Sequence, residues 1–311
     1  MNNKITIAIP AFKGLFLKEC LDSVLVQDYS NYEVLIVDDC SPDNLDHIVA
    51  QYKNDKIRYF RNDKNFGAEH VVHNWNKCLE LATGDYIICM GDDDKLKSNC
   101  LSDLMELIIK YPHLDIYYSM TELIDEHSHV FRVLERREER ESVYDMIWNR
   151  WNGGSMFIGN YCFKVDSLRE RGGFYNLPFA WGSDAISAYE AALKNGIANT
   201  QEVGFQYRQN RHSISRHFDN IEGKVNAILL EKKWFAEFFR QIPTNSHDRA
   251  ILEKLKEKYD DHFIHMLCAD IIYGISHRPI SQTKYWIVNR KKLGLPTWNL
   301  VKCFIHGIFG I

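Results

Sequence analysis

Over the first 120 residues, short continuous apolar runs alternate with stretches whose apolar residues recur every three or four positions. The runs are ITIAIP (5–10), EVLIVDD (33–39), KIRYFRN (56–62), DYIICM (85–90) and LDIYYSM (114–120). Between them, Leu17, Cys20, Leu21, Val24 and Leu25 share one helical face, as do Leu45, Ile48, Val49 and Tyr52. Val71, Trp75, Cys78, Leu79 and Ala82 form a third stripe, and Leu101, Leu104, Met105 and Ile108 a fourth. Strands without polar alternation are covered on both faces, and strands alternating with helices pair in parallel. The pattern predicts an α/β fold with a mostly parallel sheet flanked by helices. Ligands of such sheets bind beyond the carboxyl ends of the strands. The loops to read are therefore those after Pro10, Val37, Arg61 and Met90.

The alternation then stops. Residues 125–142 are dense in charge and predict an exposed hairpin or helix with a solvated face. Residues 143–182 are irregular and rich in glycine and aromatics, the composition of loops that wall a pocket. Helical periodicity returns at 184–195 and again over roughly 219–241 and 247–273, with no internal repeats.

Composition narrows the class. With 311 residues, 45% apolar and 26% charged, the chain suits a globular protein with a sizeable core. A net charge of −4 gives no general attraction to nucleic acid. The charge is unevenly placed: from Ile271 onward there is no Asp or Glu, and the tail carries six basic residues. The N-terminal apolar run is too short for a secretory signal. No stretch reaches the ~18 apolar residues that cross a bilayer. The eight cysteines form no CxxC pairs and mostly sit in apolar patterns, so buried reduced thiols are expected rather than a zinc site.

The strand-end loops carry the chemistry. After the first run, IPAF lacks the GxGxxG of a dinucleotide site, which disfavours an NAD enzyme. Pro10 and Ala11 make a tight turn where a flat ligand can approach the backbone, and Phe12 can cover a base; an ordinary turn is the bland alternative. After the second run, VDDCSPDN offers a carboxylate to the N–H of a base, with Ser41 and Pro42 placed to cap and open the next helix. Asn65, Phe66 and Gly67 enter the third helix. After the fourth run, GDDDKL gathers three carboxylates. One would favour a helix N-terminus. Three side by side suit a hard divalent cation, Mg2+ or Mn2+, which takes oxygen ligands and shares them with phosphate.

This ordered set resembles the family 2 glycosyltransferases of the GT-A fold, over roughly residues 4–216. The family's Ile-Pro-x-aromatic, VDD-x-S-x-D, N-x-G and G-x-Y-I-x-x-x-D-x-D-D signatures read here as IPAF, VDDCSPD, NFG and GDYIICMGDDD. The resemblance implies a Rossmann-like sheet with a helical C-terminal extension. A catalytic domain would cover 1–217, split into a nucleotide-binding half (1–120) and an acceptor-binding half (121–217), followed by a helical region (218–311). It implies that Pro10, Ala11, Phe12, Asn65 and Gly67 belong to the nucleotide cradle, that Asp39 binds the base, and that Asp93 ligates metal with Asp94 following. The family's first acid is Gly91 here, which leaves Asp92 to take its place. His73 stands before Asn74 where the family often has arginine. In RGGFYNLPFAWGSD, Asp184 matches the family's general base, with Ser183 where glutamate is common; a helix N-cap is the alternative reading. In YRQNRHSISRH (207–217), Arg208, Arg211 and His212 resemble a lid over the diphosphate, and Asn210 stands in the family's histidine place.

The implied activity is that of a metal-dependent inverting glycosyltransferase using Mn2+ or Mg2+. It would move a sugar from a nucleotide-sugar donor, with uridine the family expectation, to a glycan or lipid-linked acceptor in cell-surface polysaccharide synthesis. A non-catalytic sugar-nucleotide- or glycan-binding protein on the same fold is the alternative, and a nucleotidyltransferase a third. The last residues, NLVKCFIHGIFGI, place Leu300, Val301, Phe304, Ile305, Ile308 and Phe309 on one helical side, after Trp286, Trp298 and the basic residues. That composition suits a helix lying in a membrane plane, or one packed on the core or in a homodimer. The expected location is cytoplasmic, with the tail able to meet the inner face of the plasma membrane.

Overall fold

The structure, a computed structural model, describes residues 3–210 and 220–310. Its contacts divide the chain into two compact units, Met1–Ile214 and Ser215–Ile311. The first unit carries β1 (Ile5–Ala11), α1 (Leu17–Val24), β2 (Tyr32–Asp38), α2 (Leu45–Val49), β3 (Ile57–Arg61), α3 (Val71–Leu81) and β4 (Tyr86–Cys89). Then follow β5 (Lys95–Leu96), α4 (Cys100–Lys110), β6 (Ile116–Ile124), β7 (Val130–Val133), β8 (Arg140–Glu141) and α5 (Val143–Trp151). The unit ends with β9 (Tyr161–Lys164), α6 (Val165–Glu170), α7 (Ser183–Ala192) and β10 (Ile197–Arg208).

The strands form one sheet in the order β3-β2-β1-β4-β9-β6-β10-β5, with β7 added to β6 and β8 to β10. The five apolar runs are five of these strands. β1, β2, β3 and β4 pair in parallel, as do β6 and β10. Every residue of β2, β4 and β6 is buried, which is why the sequence shows no polar alternation there. β9 departs from the expected order. It slots antiparallel between β4 and β6, so the start of β9 lies beside the end of β4. The charged segment does form an exposed hairpin, β7 running antiparallel on β6.

A buried ion cluster ties the first strands together. Glu33 on β2 is 3% exposed. It accepts from Thr6 Oγ1 at 2.7 Å and the Thr83 amide at 2.9 Å. It also meets Lys4 Nζ and Arg58 Nη1, each at 3.1 Å. Burial alone would raise its pKa, but the hydrogen bonds outweigh burial and bring it down from 4.5 to about 2. The folded state therefore binds this proton less tightly than the unfolded chain. The resulting stability is full above pH ~4.5 and is lost as pH falls toward ~2. Glu33→Gln is expected to cost about 2–3 kcal/mol at pH 7 and to flatten the loss of stability between those pH values. Urea unfolding across pH checks both; an unchanged acid slope would refute the account.

The second unit contains α8 (Ile221–Phe238), α9 (Ser246–His277), α10 (Pro279–Asn289) and α11 (Thr297–Phe309). Asn220 and Asn245 cap α8 and α9 by accepting from the amides of Gly223 and Asp248, and Pro279 opens α10. Phe235 of α8 meets Phe263 of α9 with ring centroids 5.9 Å apart. Burial pushes Asp270 up to about 6, opposed by Lys224 of α8. α11 lies against α9 closely enough that a β-carbon on Gly307 would sit 2.7 Å from Cβ of Ile275. Among the described residues no helix is long and apolar enough to cross a membrane.

Candidate active site

The ends of β1, β2 and β4 are laced together by carboxylates. Asp38, the last residue of β2, is fully buried and accepts from Tyr59 Oη at 2.6 Å, the Ser41 amide at 2.7 Å and Arg61. That fixes the strand end ahead of Asp39, which is itself buried. Asp39 donates its own amide to the Ala11 carbonyl at 2.8 Å, stapling β2's end to β1's. Its carboxylate accepts from Asn62 Nδ2 at 3.0 Å and the Phe66 amide at 3.1 Å. A carboxylate has about four acceptor positions, so capacity remains for an outside donor. Asn65 folds back on the amide of Gly67, whose φ of 78° is the left-handed region that glycine tolerates. Pro10, Ala11, Phe12, Asp39, Asn65 and Gly67 thus gather near the ends of β1 and β2.

Ser41 is not the helix cap its position suggests. Its hydroxyl donates to the Phe12 carbonyl and accepts from the Asp43 amide at 3.0 Å, while α2 begins only at Leu45 behind Asn44. Ser41 joins the β1 loop to the β2 loop instead.

The Asp92–Asp93–Asp94 run closes the same edge. One Asp92 oxygen accepts from the amides of Phe12 and Lys13, both at 2.7 Å, so Asp92 sets the turn after β1. Asp93 Oδ2 accepts from Asn210 Nδ2 at 2.6 Å. Asp94 is buried and accepts from the Arg208 amide at 2.9 Å. Burial raises the pKa of all three; the charge of Asp93 adds to it at Asp92, which rises to about 7, and at Asp94. A β-carbon on Gly91 would lie 2.7 Å from Asp93 Oδ1 and 3.1 Å from Asp94 Oδ2. A side chain there would push on both carboxylates. The donors are oxygen only, half-buried at Asp92 and Asp93 and buried at Asp94, and of the kind a hard divalent cation takes.

Arg208 is placed differently from a lid. It is fully buried, with Nε on the Asp93 carbonyl at 2.7 Å, Nη1 on the Asp125 carbonyl at 3.0 Å and Nη2 on Glu19 Oε2 at 2.9 Å. Its guanidinium stacks 4.3 Å from the Phe16 ring centroid. It buttresses the carboxylate run from behind and leaves no donor face toward a diphosphate. Arg211 and His212 lie outside the described residues.

Asp184 is the second residue of α7, and Gly182, with φ 87°, is the N-cap. Asp184 therefore does not cap the helix; its Oδ1 accepts from the Ala185 amide at 2.8 Å. Ser183, where glutamate was expected by family, is fully buried, and its hydroxyl accepts from the Leu177 amide at 3.0 Å. The preceding glycines dock on α3: Asn76 Oδ1 accepts from the Phe174 amide at 2.8 Å. His73 faces the same loop, 3.4 Å from Asn176 Nδ2, and stacks on His70. Burial pushes the Tyr161 phenol up, and the charge of Asp184 adds slightly to that. Tyr161 opens β9, one residue past the Ile88–Cys162 pair, so it sits beside the end of β4 that leads into the aspartates. Two linkages escaped the sequence reading: Asn210 to Asp93, and Glu19 to Arg208. The first had a signal, since Asn210 stands where the family has histidine; the second had none.

Comparison with known proteins agrees with this architecture. The sequence pattern of glycosyl transferase family 2 matches residues 6–171. The putative teichuronic acid biosynthesis glycosyltransferase TuaG of Bacillus subtilis is 30% identical over 243 residues, covering 76% of this chain and 88% of TuaG. Staphylococcus aureus TarS (residues 1–349), solved with UDP-GlcNAc, superposes with a TM-score of 0.67 at 16% identity, covering 99% of this chain and 92% of that one. The Pyrobaculum calidifontis mannosyltransferase PcManGT, solved with GDP-Man and Mn2+, has a TM-score of 0.56 at 14% identity, covering 99% and 88%.

Proposed function

The chain belongs to glycosyl transferase family 2 and has the GT-A fold, and on that premise we propose that it is a metal-dependent inverting enzyme of cell-surface polysaccharide synthesis. It takes a sugar from a nucleotide-diphosphate donor and passes it to a glycan or lipid-linked acceptor. The observation that carries this reading is the convergence at one sheet edge of the Phe12 turn, the Asp39 carboxylate and the three aspartates. The relatives supply the context: TuaG is named for teichuronic acid synthesis, TarS was solved with UDP-GlcNAc, and PcManGT with Mn2+.

Each residue then has a task. Asp39 accepts an N–H of the base, oriented by Asn62 and the Phe66 amide. Asp92 holds the backbone of Phe12 and Lys13 against the nucleotide. Asp93, steadied by Asn210, and Asp94 would hold Mn2+ or Mg2+, which neutralises charge on the departing diphosphate when bound. The acceptor hydroxyl attacks the anomeric carbon, and its proton passes to Asp184. The bond from that carbon to the diphosphate oxygen breaks, its electrons leave with the nucleotide diphosphate, and the configuration inverts. A single displacement needs only one proton-handling carboxylate, unlike glycoside hydrolysis with its paired acids.

A donor screen tests the reading. A UDP-sugar with Mn2+ is expected to raise Tm by roughly 5 °C at a hundred times its Kd, and chelation should abolish the rise. With acceptor present, nucleoside diphosphate should be released. Binding without turnover under any acceptor would point to the non-catalytic alternative, and release of pyrophosphate to a nucleotidyltransferase.

A further inference from the structure

The second unit ends in a helix whose two faces are both apolar. The inner face of α11, with Leu300, Cys303 and Gly307, is buried. The outer face carries Trp298, Val301, Ile305 and Ile308 at intervals of three, four and three residues, from 41% to 66% exposed. That spacing is one continuous helical stripe. Lys302 reaches over the Trp298 ring, 5.2 Å from its centroid. Ile280, Ile287 and Val288 of α10 are exposed as well. Solvent does not favour so much uncovered apolar surface in so short a segment.

The charge identifies the occupant. The segment from Ile271 onward has Arg278, Lys284, Arg290, Lys291, Lys292 and Lys302, and no acidic residue. We propose that α10 and α11 dock this protein onto an anionic lipid bilayer, lying in the plane of its surface with the Trp298–Ile308 stripe inserted among the acyl chains. A 13-residue helix is about 20 Å long, too short to span, and suits an in-plane position. A second copy of the chain is disfavoured as occupant, because a symmetric contact through this face would bring two uniformly basic segments together. Anionic headgroups complement the lysines and arginines that flank the stripe. The inference stands apart from the donor chemistry, and its test uses no sugar nucleotide.

The experiment is flotation of the full chain with vesicles of phosphatidylglycerol and phosphatidylcholine in equal parts, beside vesicles of phosphatidylcholine alone. The chain should float with the anionic vesicles, and added salt should release it. Arg290→Gln/Lys291→Gln/Lys292→Gln is expected to weaken partitioning on the order of a hundredfold. Ile305→Ser/Ile308→Ser should weaken it comparably while leaving Tm unchanged, since both side chains are already exposed. No flotation with anionic vesicles overturns the proposal. So does full binding by the triple variant. So does a dimer in sedimentation that Ile305→Ser/Ile308→Ser splits without altering vesicle binding.

Discussion

Asp93→Asn is expected to lower sugar transfer by at least about a thousandfold while leaving the protein folded. Asp93 is one of three consecutive carboxylates, and its charge adds to burial in raising the pKa of both neighbours. Removing that charge relieves repulsion, so the metal-free variant should be as stable as the parent or slightly more so. Asparagine keeps an oxygen to accept from Asn210 Nδ2, which now lies 2.6 Å from Asp93. The donor complex should respond in the opposite direction. Without the Asp93 charge the cation binds poorly, and the negative charge that develops on the leaving diphosphate is left without its partner. The signature is therefore a Tm unchanged or raised in chelator, together with loss of the Mn2+-dependent rise that donor gives the parent. A variant that keeps both metal-dependent stabilisation and turnover would move the cation away from Asp93.

The strands at this edge were legible because a strand covered on both faces is apolar at most positions. β4 follows that rule throughout, and β1, β2 and β6 over most of their length, with Thr6, Glu33 and Glu122 among the buried polar exceptions. The strand ends followed, since a parallel sheet gathers its carboxyl ends on one side. β9 was not legible: four residues after a glycine-rich turn carry no period, and their place between β4 and β6 is decided by edges formed far away in sequence. α5 did leave a mark. Ser142 and Asp145 form a reciprocal capping box, at the start of a stretch otherwise read as irregular for its glycine and aromatic content.

Within the site, motifs placed the residues but not their bonds. Asp92 could be named from its neighbours, yet only the fold shows that it holds the amides of Phe12 and Lys13, 80 residues away. A basic run such as YRQNR reads as surface because lone cations are costly to bury. Arg208 escapes that rule through Glu19, two carbonyls and the Phe16 ring, partners that local sequence does not announce. Ser41 and Asp184 had the right composition for caps, but Phe12 claims the Ser41 hydroxyl and Gly182 takes the cap of α7. Propensity yielded to tertiary contact in both places.

Asp184→Asn should separate binding from chemistry. The asparagine carbonyl can still accept from the Ala185 amide, now 2.8 Å from Oδ1, so the first turn of α7 and the loop that Ser183 pins at Leu177 should persist. Donor affinity is expected to stay within about threefold, because the proposed nucleotide cradle lies on the loops after β1, β2 and β4. The amide cannot take a proton, and the attacking hydroxyl must then shed it to water. A positioned general base contributes roughly 10²–10⁴-fold, so kcat should fall about a thousandfold with donor binding intact. Asp184→Glu restores the base but moves it by one methylene, and displacement near 1 Å costs about a hundredfold. The order parent, Glu, Asn in kcat, at constant donor Kd and constant Tm, is the pattern of a proton acceptor. A purely structural carboxylate would give the opposite: Tm and donor affinity would fall together, and Asn, the closer isostere, would outperform Glu. Wild-type kcat in Asp184→Asn would send the proton to another group at this edge.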